Sequence, residues 1–328
     1  MRNHKIEKDA VFLILILLLV LVVLYSGLRV LEATVLRPVR EEVGTVERKT
    51  IVRNGLEYYP RQDITTLLII GVDQFGPVTD SGYHQNPGAA DLNVLVIFDE
   101  TDRSCKVLHL NRDTMLEIPV LGLNGKPAGT AFCQLALSHT YGSGLEDSCQ
   151  NTVSAVSEFL YGIEINYYAA MNMDAIPIIN DGVGGVTVTV TEDFSALDPT
   201  IQMGEMTLRG EQAITFVRSR KDVGDQQNSS RILRHQAYLD GFLEAARAKQ
   251  KEGLSFVLEV YEQAKPYVVT NCSANAISGM LDRYGDFEVK DVLTLAGESV
   301  RGEEYMEFYA DEEKLDDMIL SLFYEPKQ

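Results

Sequence analysis

Thr66-Leu67-Leu68-Ile69-Ile70-Gly71-Val72-Asp73 is an apolar run that ends in Gly-Val-Asp. It shows no polar alternation, so it reads as a strand buried on both faces, in the middle of an α/β sheet. Asp73 then falls at or just past the strand's C-terminal end, where such sheets bind ligands. A polar loop with Gly and Pro follows, from Gln74 to Ala90. Asp91 precedes a second buried strand, Leu92 to Phe98, and a third runs from Cys105 to Leu110. Residues 99–104 join these two as a hairpin-like turn. The third strand leads directly into Asn111-Arg112-Asp113-Thr114.

Further along, Ala131–Tyr141 and Ser148–Leu160 read as helices and Ile163–Met171 as a strand. Met173–Asp181 reads as a short helix with Pro177 near its start, where proline is tolerated. Gly182-Val183-Gly184-Gly185 turns the chain into a strand at Val186–Val190. Residues 191–209 read as loop, and Gly210–Val217 as a short helix. The tail is helical at Ser255–Gln263 and Ala274–Leu281, with a strand near Tyr305–Tyr309. Leu315, Met318, Ile319, Leu322 and Phe323 sit in helical register and form a packing face. Tyr161, Tyr167 and Tyr168 read as core.

Phe216 to Gln236 holds Arg218, Arg220, Lys221, Arg231 and Arg234, in a chain of 29 Lys+Arg against 48 Asp+Glu and net charge -19. The planar fork of arginine suits phosphate and carboxylate oxygens. Asn228, Ser229 and Ser230 are good N-cap types, and Ile232, Leu239, Phe242, Leu243 and Ala246 follow as an apolar stripe. Arg231, Arg234 and His235 share the other flank. Arginines beside a helix N-terminus suit an anion, although a solvated basic face has the same pattern. Asp73 and Asp91 at strand edges suit a divalent cation, or cap turns as aspartate often does. Arg112-Asp113 is open to the same double reading, as a site pair or an ordinary ion pair.

Ala10 to Leu28 is nineteen residues without a charge, about long enough to cross a bilayer as a helix. Its core is longer than that of a cleaved signal peptide, and Val30-Leu31-Glu32-Ala33 lacks the small-x-small exit. Arg2, Lys5 and Lys8 place the N-terminus inside. The acidic balance and the absence of a helix-turn-helix pattern argue against nucleic acid as a partner. The four cysteines, Cys105, Cys133, Cys149 and Cys272, form no C-x-x-C zinc pattern. Outside the membrane disulfides are permitted, and Cys133–Cys149 is the best pair; Cys105 reads as a buried thiol. His139 beside Ser138 makes no triad without a Gly-x-Ser-x-Gly elbow.

The order of these blocks resembles the LytR-CpsA-Psr family. The blocks are the anchor, Gly71-Val72-Asp73, Ala89-Ala90-Asp91-Leu92, Asn111-Arg112-Asp113-Thr114 and Asp181-Gly182-Val183-Gly184-Gly185-Val186. Leu208-x-Gly210-x-Gln212-Ala213 then leads into Val217-Arg218-Ser219-Arg220, and Arg231-x-x-Arg234-x-Gln236 comes last. The resemblance covers roughly residues 65 to 250 and implies an α/β/α sandwich with a central mixed sheet. It implies a cytoplasmic tail at 1–9, an anchor at 10–28, a stalk at 29–63, the family domain at 64–250 and a helical extension at 251–328. The domain would lie outside the cytoplasmic membrane of a Gram-positive-type bacterium. The activity implied is transfer of a teichoic-acid- or capsule-type glycopolymer from an undecaprenyl pyrophosphate carrier to peptidoglycan. Asp73 and Asp91 would hold Mg²⁺. Arg112, Arg218, Arg220, Arg231 and Arg234 would grip the pyrophosphate, with His235 and Gln236 beside them. Asp113 would help position the acceptor or an arginine.

The chain departs from the family pattern in several of these blocks. The family usually has arginine at Ala89, a hydroxyl residue at Ala90, proline at Asn111 and glutamine at His235. Its Asp-x-Gly-Arg is Asn228-Ser229-Ser230-Arg231 here. The lost arginine at Ala89 keeps a second reading open: a lipid-pyrophosphate-binding or scaffolding protein of the same fold. A third, transcriptional attenuation, follows an old family label and is opposed by the anchor and the acidic domain.

Overall fold

The computed structural model describes residues 50–327 except 54, 123, 220–233, 235, 236, 239, 243, 246, 247, 250–254, 273–275, 277, 278, 281, 282, 285 and 286. The expected membrane span, at 10–28, lies outside them. Among the described residues no helix is long and apolar enough to cross a membrane.

A small three-stranded sheet carries β1 (Ile51–Arg53) and β2 (Leu56–Pro60). The central strand is β3, Ile64–Val72, where Leu67, Leu68, Ile69 and Ile70 are all fully buried. It pairs antiparallel with β4 (Ala90–Asp99), which pairs antiparallel with β5 (Ser104–Leu110). A separate hairpin follows, β6 (Met115–Leu121) with β7 (Pro127–Gln134). Helix α1 (Glu146–Phe159) leads to β8 (Tyr167–Asn172), which lies parallel to β3. Next come α2 (Ala175–Gly182), the hairpin β9 (Val186–Val190) and β10 (Gly204–Leu208), and α3 (Glu211–Arg218). After α4 (Ser255–Ala264), β11 (Val268–Thr270) and β12 (Glu288–Thr294) close the two edges of the sheet. Its order is β11-β8-β3-β4-β5-β12, a mixed sheet of six strands. Hairpin β13 (Gly297–Arg301) with β14 (Met306–Ala310), then α5 (Glu312–Phe323) and β15 (Tyr324–Pro326), end the chain.

The strand period of two splits the interior into two cores. Leu67 and Ile69 of β3 face one core, with Ile179 of α2, Phe216 of α3, Phe242 and Val260. Leu68 and Ile70 face the other, with Val156 of α1 and Ile319 and Phe323 of α5. The sheet is therefore covered on both sides, which is why β3 reads as an unbroken apolar run.

Several expectations are corrected. Ala131–Tyr141 is not one helix: residues up to Gln134 belong to β7, and a 3-10 turn spans Leu135–Thr140. Pairing of Cys133 with Leu116 of β6 overrides the helical propensity of the alanines. The loop at 191–209 contains β10, which pairs with β9 across its full length. The tail at 251–328 is not purely helical, since it supplies both edge strands of the central sheet. Tyr161 is exposed and takes a left-handed backbone, φ 64, where α1 gives way to Gly162. All four cysteines are free and buried, so Cys133 and Cys149 do not pair. Burial pushes the thiols of Cys105 and Cys149 up to about 12.

At the sheet end away from Asp73, Arg61 donates to Asp63 (2.5 Å) and to the buried Asp99 (2.6 and 2.8 Å). The Arg61 hydrogen bond holds the Asp63 carboxyl down at about 2, against an ordinary 3.8. The depressed carboxyl stabilises the fold above pH 3.8, and that contribution is lost as pH falls toward 2. Acid titrations of wild type and Asp63→Asn are expected to diverge above this window and to converge below it.

The helical residues around Tyr238–Phe242 lie close on β9, and a Cβ added at Gly241 would sit 2.0 Å from the Thr187 carbonyl oxygen. Backbone cannot yield as a side chain does. Gly241→Ala is expected to cost about 1–3 kcal/mol in urea denaturation.

Candidate active site

The C-terminal end of β3 sets the site. Register slips between Gly71 and Val72 as β3 leaves β4, and the loop 74–89 intervenes. The amide of Asp73, just beyond β3, donates to the Ala89 carbonyl oxygen at 3.0 Å. The amide of Asp91, near the start of β4, donates to the same oxygen, also at 3.0 Å. The backbones of two aspartates eighteen positions apart are thus anchored to one atom. The loop between them is pinned below. Asn86 Nδ2 donates to the His139 and Gly142 carbonyls (2.7 and 3.1 Å). His139 Nδ1–H donates to the Gly88 carbonyl at 2.8 Å. Burial pushes the imidazole of His139 below its ordinary value, so it holds the loop as a neutral ring.

Asn111-Arg112-Asp113-Thr114 turns back beside Asp91. The side-chain oxygen of Asn111 accepts the Asp113 amide at 3.0 Å, an Asx turn that fixes this corner. Thr114 Oγ1 adds a bond to the Asn111 carbonyl at 2.7 Å. Arg112 Nη1 forms an ion pair with Asp91 Oδ1, and its Nε lies 3.5 Å from Asp113 Oδ1.

Arg218 is the last residue of α3. The start of that helix is fixed by the Asp-Gly-Val-Gly-Gly segment: Asp181 Oδ1 accepts the Gly210 amide at 2.8 Å, and Asn180 Nδ2 donates to the Leu208 carbonyl at 2.9 Å. The helix then delivers Arg218 Nη2 to within 3.3 Å of Asp73 Oδ1, its guanidinium 5.1 Å above the ring of Phe75. Arg218 is 51% exposed, so its outer face remains open to an anion.

Five residues expected from sequence therefore lie at these ends in two groups, Asp73 with Arg218 and Asp91 with Arg112 and Asp113, joined through the Ala89 carbonyl. They alternate in sign, Arg218–Asp73 and Asp91–Arg112–Asp113, across the strand ends. Arg220, Arg231, His235 and Gln236 lie outside the described residues.

Arg234 is placed differently from the expectation of a pyrophosphate contact. Its side chain is 5% exposed and points into the protein. Nη2 donates to the Ser219 carbonyl at 2.5 Å and Nη1 to that of Phe216 at 3.4 Å, two carbonyls at the end of α3. Nε lies 3.1 Å from Glu192 Oε2, but its N–H is not aimed there, so this is an ion pair and not a hydrogen bond. The guanidinium also covers Phe194 at 5.5 Å. Burial pushes it below its ordinary value and Glu192 opposes that shift. Arg234 supports the turn that carries Arg218.

Glu192, Phe75 and Gln134 escaped the reading of the sequence. Each is a single residue of common type, and its partners are distant in the chain. Among the described residues no group of three or more His, Cys, Asp or Glu gathers into a metal cage. Asp73 and Asp91, each paired with an arginine, carry the hard oxygen donors of the kind magnesium takes when phosphate oxygens and water complete its shell.

The LytR_cpsA_psr family model matches residues 39–322. The chain belongs to this family. The match runs past position 250, to residue 322. Similar curated proteins are named polyisoprenyl-teichoic acid–peptidoglycan teichoic acid transferases. TagU of Bacillus mycoides (strain KBAB4) is 28% identical over 187 residues, 55% of this chain and 54% of that protein. TagU of Bacillus cereus (strain AH820) is 26% identical over 235 residues, 70% and 68% of the two chains. The chain thus spans about half to two thirds of these relatives. Among solved structures, the gbs0355 protein of Streptococcus agalactiae superposes with a TM-score of 0.59 at 20% identity, over 79% of this chain and 86% of that one. TagV of B. subtilis gives 0.55 at 21% identity, over 80% and 96%. These likenesses show the fold.

Removing Arg234 leaves Glu192 without its cation and α3 without its support. Arg234→Ala is expected to cost about 3–5 kcal/mol in urea denaturation. At temperatures where the variant stays folded, a pyrophosphate titration should show weakened but measurable binding. Wild-type stability with binding abolished would return Arg234 to the role read from sequence.

Proposed function

We propose that this family member is a membrane-anchored phosphotransferase. It moves a glycopolymer of teichoic acid or capsule type from a polyprenyl pyrophosphate carrier to peptidoglycan outside the membrane. What supports this reading is the meeting of Asp73, Asp91, Arg112, Asp113 and Arg218 at the strand ends, together with relatives named for that transfer. The uncharged stretch 10–28 would hold the domain at the membrane that contains the carrier.

In this mechanism a peptidoglycan hydroxyl attacks the phosphorus next to the glycan. The new P–O bond forms as the bond to polyprenyl phosphate breaks, and polyprenyl phosphate leaves. Arg112 and Arg218 face the pyrophosphate oxygens and neutralise the charge that builds on them. Their carboxylate partners hold both guanidinium groups in place before substrate arrives, so little reorganisation is needed. Asp113 accepts the hydroxyl proton. Magnesium held by Asp73 and Asp91 would add positive charge at the same oxygens.

Ala89 favours a second reading, because the family's arginine is missing beside the two aspartates. In that reading the site binds lipid pyrophosphate and turns over little.

The test uses the full chain in detergent, a short polyprenyl-pyrophosphate glycan, peptidoglycan oligomers and Mg²⁺. Wild type is expected to release polyprenyl phosphate and join the glycan to the acceptor. Arg218→Ala should slow this by roughly 10²–10³-fold, and a chelator should stop it. Tight binding without release across several glycans and acceptors would establish the binding protein instead. Metal-independent release would remove magnesium from the scheme.

A further inference from the structure

The Asp113 carboxylate is held from behind by a residue that no motif contains. Gln134 ends β7, is 6% exposed and has one side-chain nitrogen with two hydrogens. That nitrogen, Nε2, lies 2.8 Å from Asp113 Oδ1 and 2.7 Å from the Met306 carbonyl oxygen. Both partners only accept, so the orientation of the amide is fixed and both hydrogens are used. Met306 begins β14, 172 positions along the chain from Gln134. The same hairpin reaches the segment again, because the Phe308 amide donates to the Asp113 carbonyl at 2.8 Å. Thr114 also bridges to Phe308.

The backbone around Asp113 is closed by the same elements. The Leu135 amide donates to the Thr114 carbonyl (2.8 Å) and the Ala136 amide to that of Arg112 (2.9 Å). With Oδ1 turned toward Gln134 and Arg112, the other carboxylate oxygen, Oδ2, takes no hydrogen bond from the described residues. One oxygen is therefore fixed and the second is left to meet a hydroxyl.

We propose that Gln134 is a positioning residue, clamping Asp113 to β14 so that one carboxylate oxygen is presented to the acceptor hydroxyl. The C-terminal hairpin thereby becomes part of the reaction machinery. The proposal rests on the transferase reading of the site. It says that the carboxylate works by direction, and that direction is supplied by an amide donor. Loss of the donor leaves the Arg218–Asp73 and Arg112–Asp91 ion pairs in place, so carrier binding persists while turnover falls.

Two variants of the full-length chain test it. Gln134→Met keeps the length of the side chain and removes both donors, whereas Gln134→Lys restores a donor group. Gln134→Met is expected to lower kcat by about ten- to a hundredfold, with KM for the polyprenyl-pyrophosphate glycan within about twofold. Gln134→Lys should recover most of that loss. Hydrogen exchange of residues 297–310 should quicken in Gln134→Met and slow again in Gln134→Lys. A Gln134→Met variant with wild-type kcat, or with wild-type exchange in the hairpin, overturns the clamp. So does a loss of kcat and KM together with a lowered Tm and no recovery by lysine, which describes a strut only. Failure of the underlying reading looks different: wild type itself would transfer nothing, and the proposal would fall with it.

Discussion

The carbonyl oxygen of Ala89 accepts two backbone N–H groups, those of Asp73 and Asp91. That shared acceptor extends the β3–β4 pairing one residue past Val72 and Ala90, so the two aspartate backbones stay together although the loop 74–89 lies between them. The loop can be this long because its lower part is tied down by Asn86 and by the neutral His139. Everything else at the site is arranged around the resulting pair of carboxylates. Arg112 approaches one of them from β5 and Arg218 approaches the other from α3.

Each arginine is delivered by a rigid element that is itself fixed at its far end. Helix α3 begins on Asp181, through the Gly210 amide, and ends on Arg234, through carbonyls of Phe216 and Ser219. The glycine-rich family block and the buried arginine thus serve one helix. The turn at Asn111 does for Arg112 what those contacts do for Arg218. An exposed guanidinium on a fixed base loses little freedom when it meets an anion.

Much of the fold was legible because β3 to β5 are covered on both faces, and strands covered on both faces read as continuous apolar runs whichever way they pair. Position put Asp73, Asp91, Arg112 and Asp113 at or beside strand ends but left turn caps and an ordinary ion pair as equal readings; the roles came from the order of the family blocks. What could not be read depended on partners far off in the chain. The hairpin β6–β7 has weak apolar alternation and is recognisable only from its pairing. Arg234 sits among arginines, and the lone acid that draws it inward, Glu192, lies in a stretch that reads as loop. Gln134 acquires meaning only from a carbonyl in β14. The short strands β11 and β12 fall between the helical stretches of the tail, where the sequence shows no strand period long enough to read.

Those two short strands have a consequence for how the protein is made. They close opposite edges of the central sheet, β11 against β8 and β12 in parallel against β5, and both come from the last quarter of the chain. While the ribosome is still working, the four inner strands have their partners but keep two bare edges. Such edges invite pairing with other chains, and contacts across so long a separation form slowly. The sheet is sealed only when the C-terminal quarter has emerged. A copy truncated before β11 and β12 would present open strand edges to its neighbours.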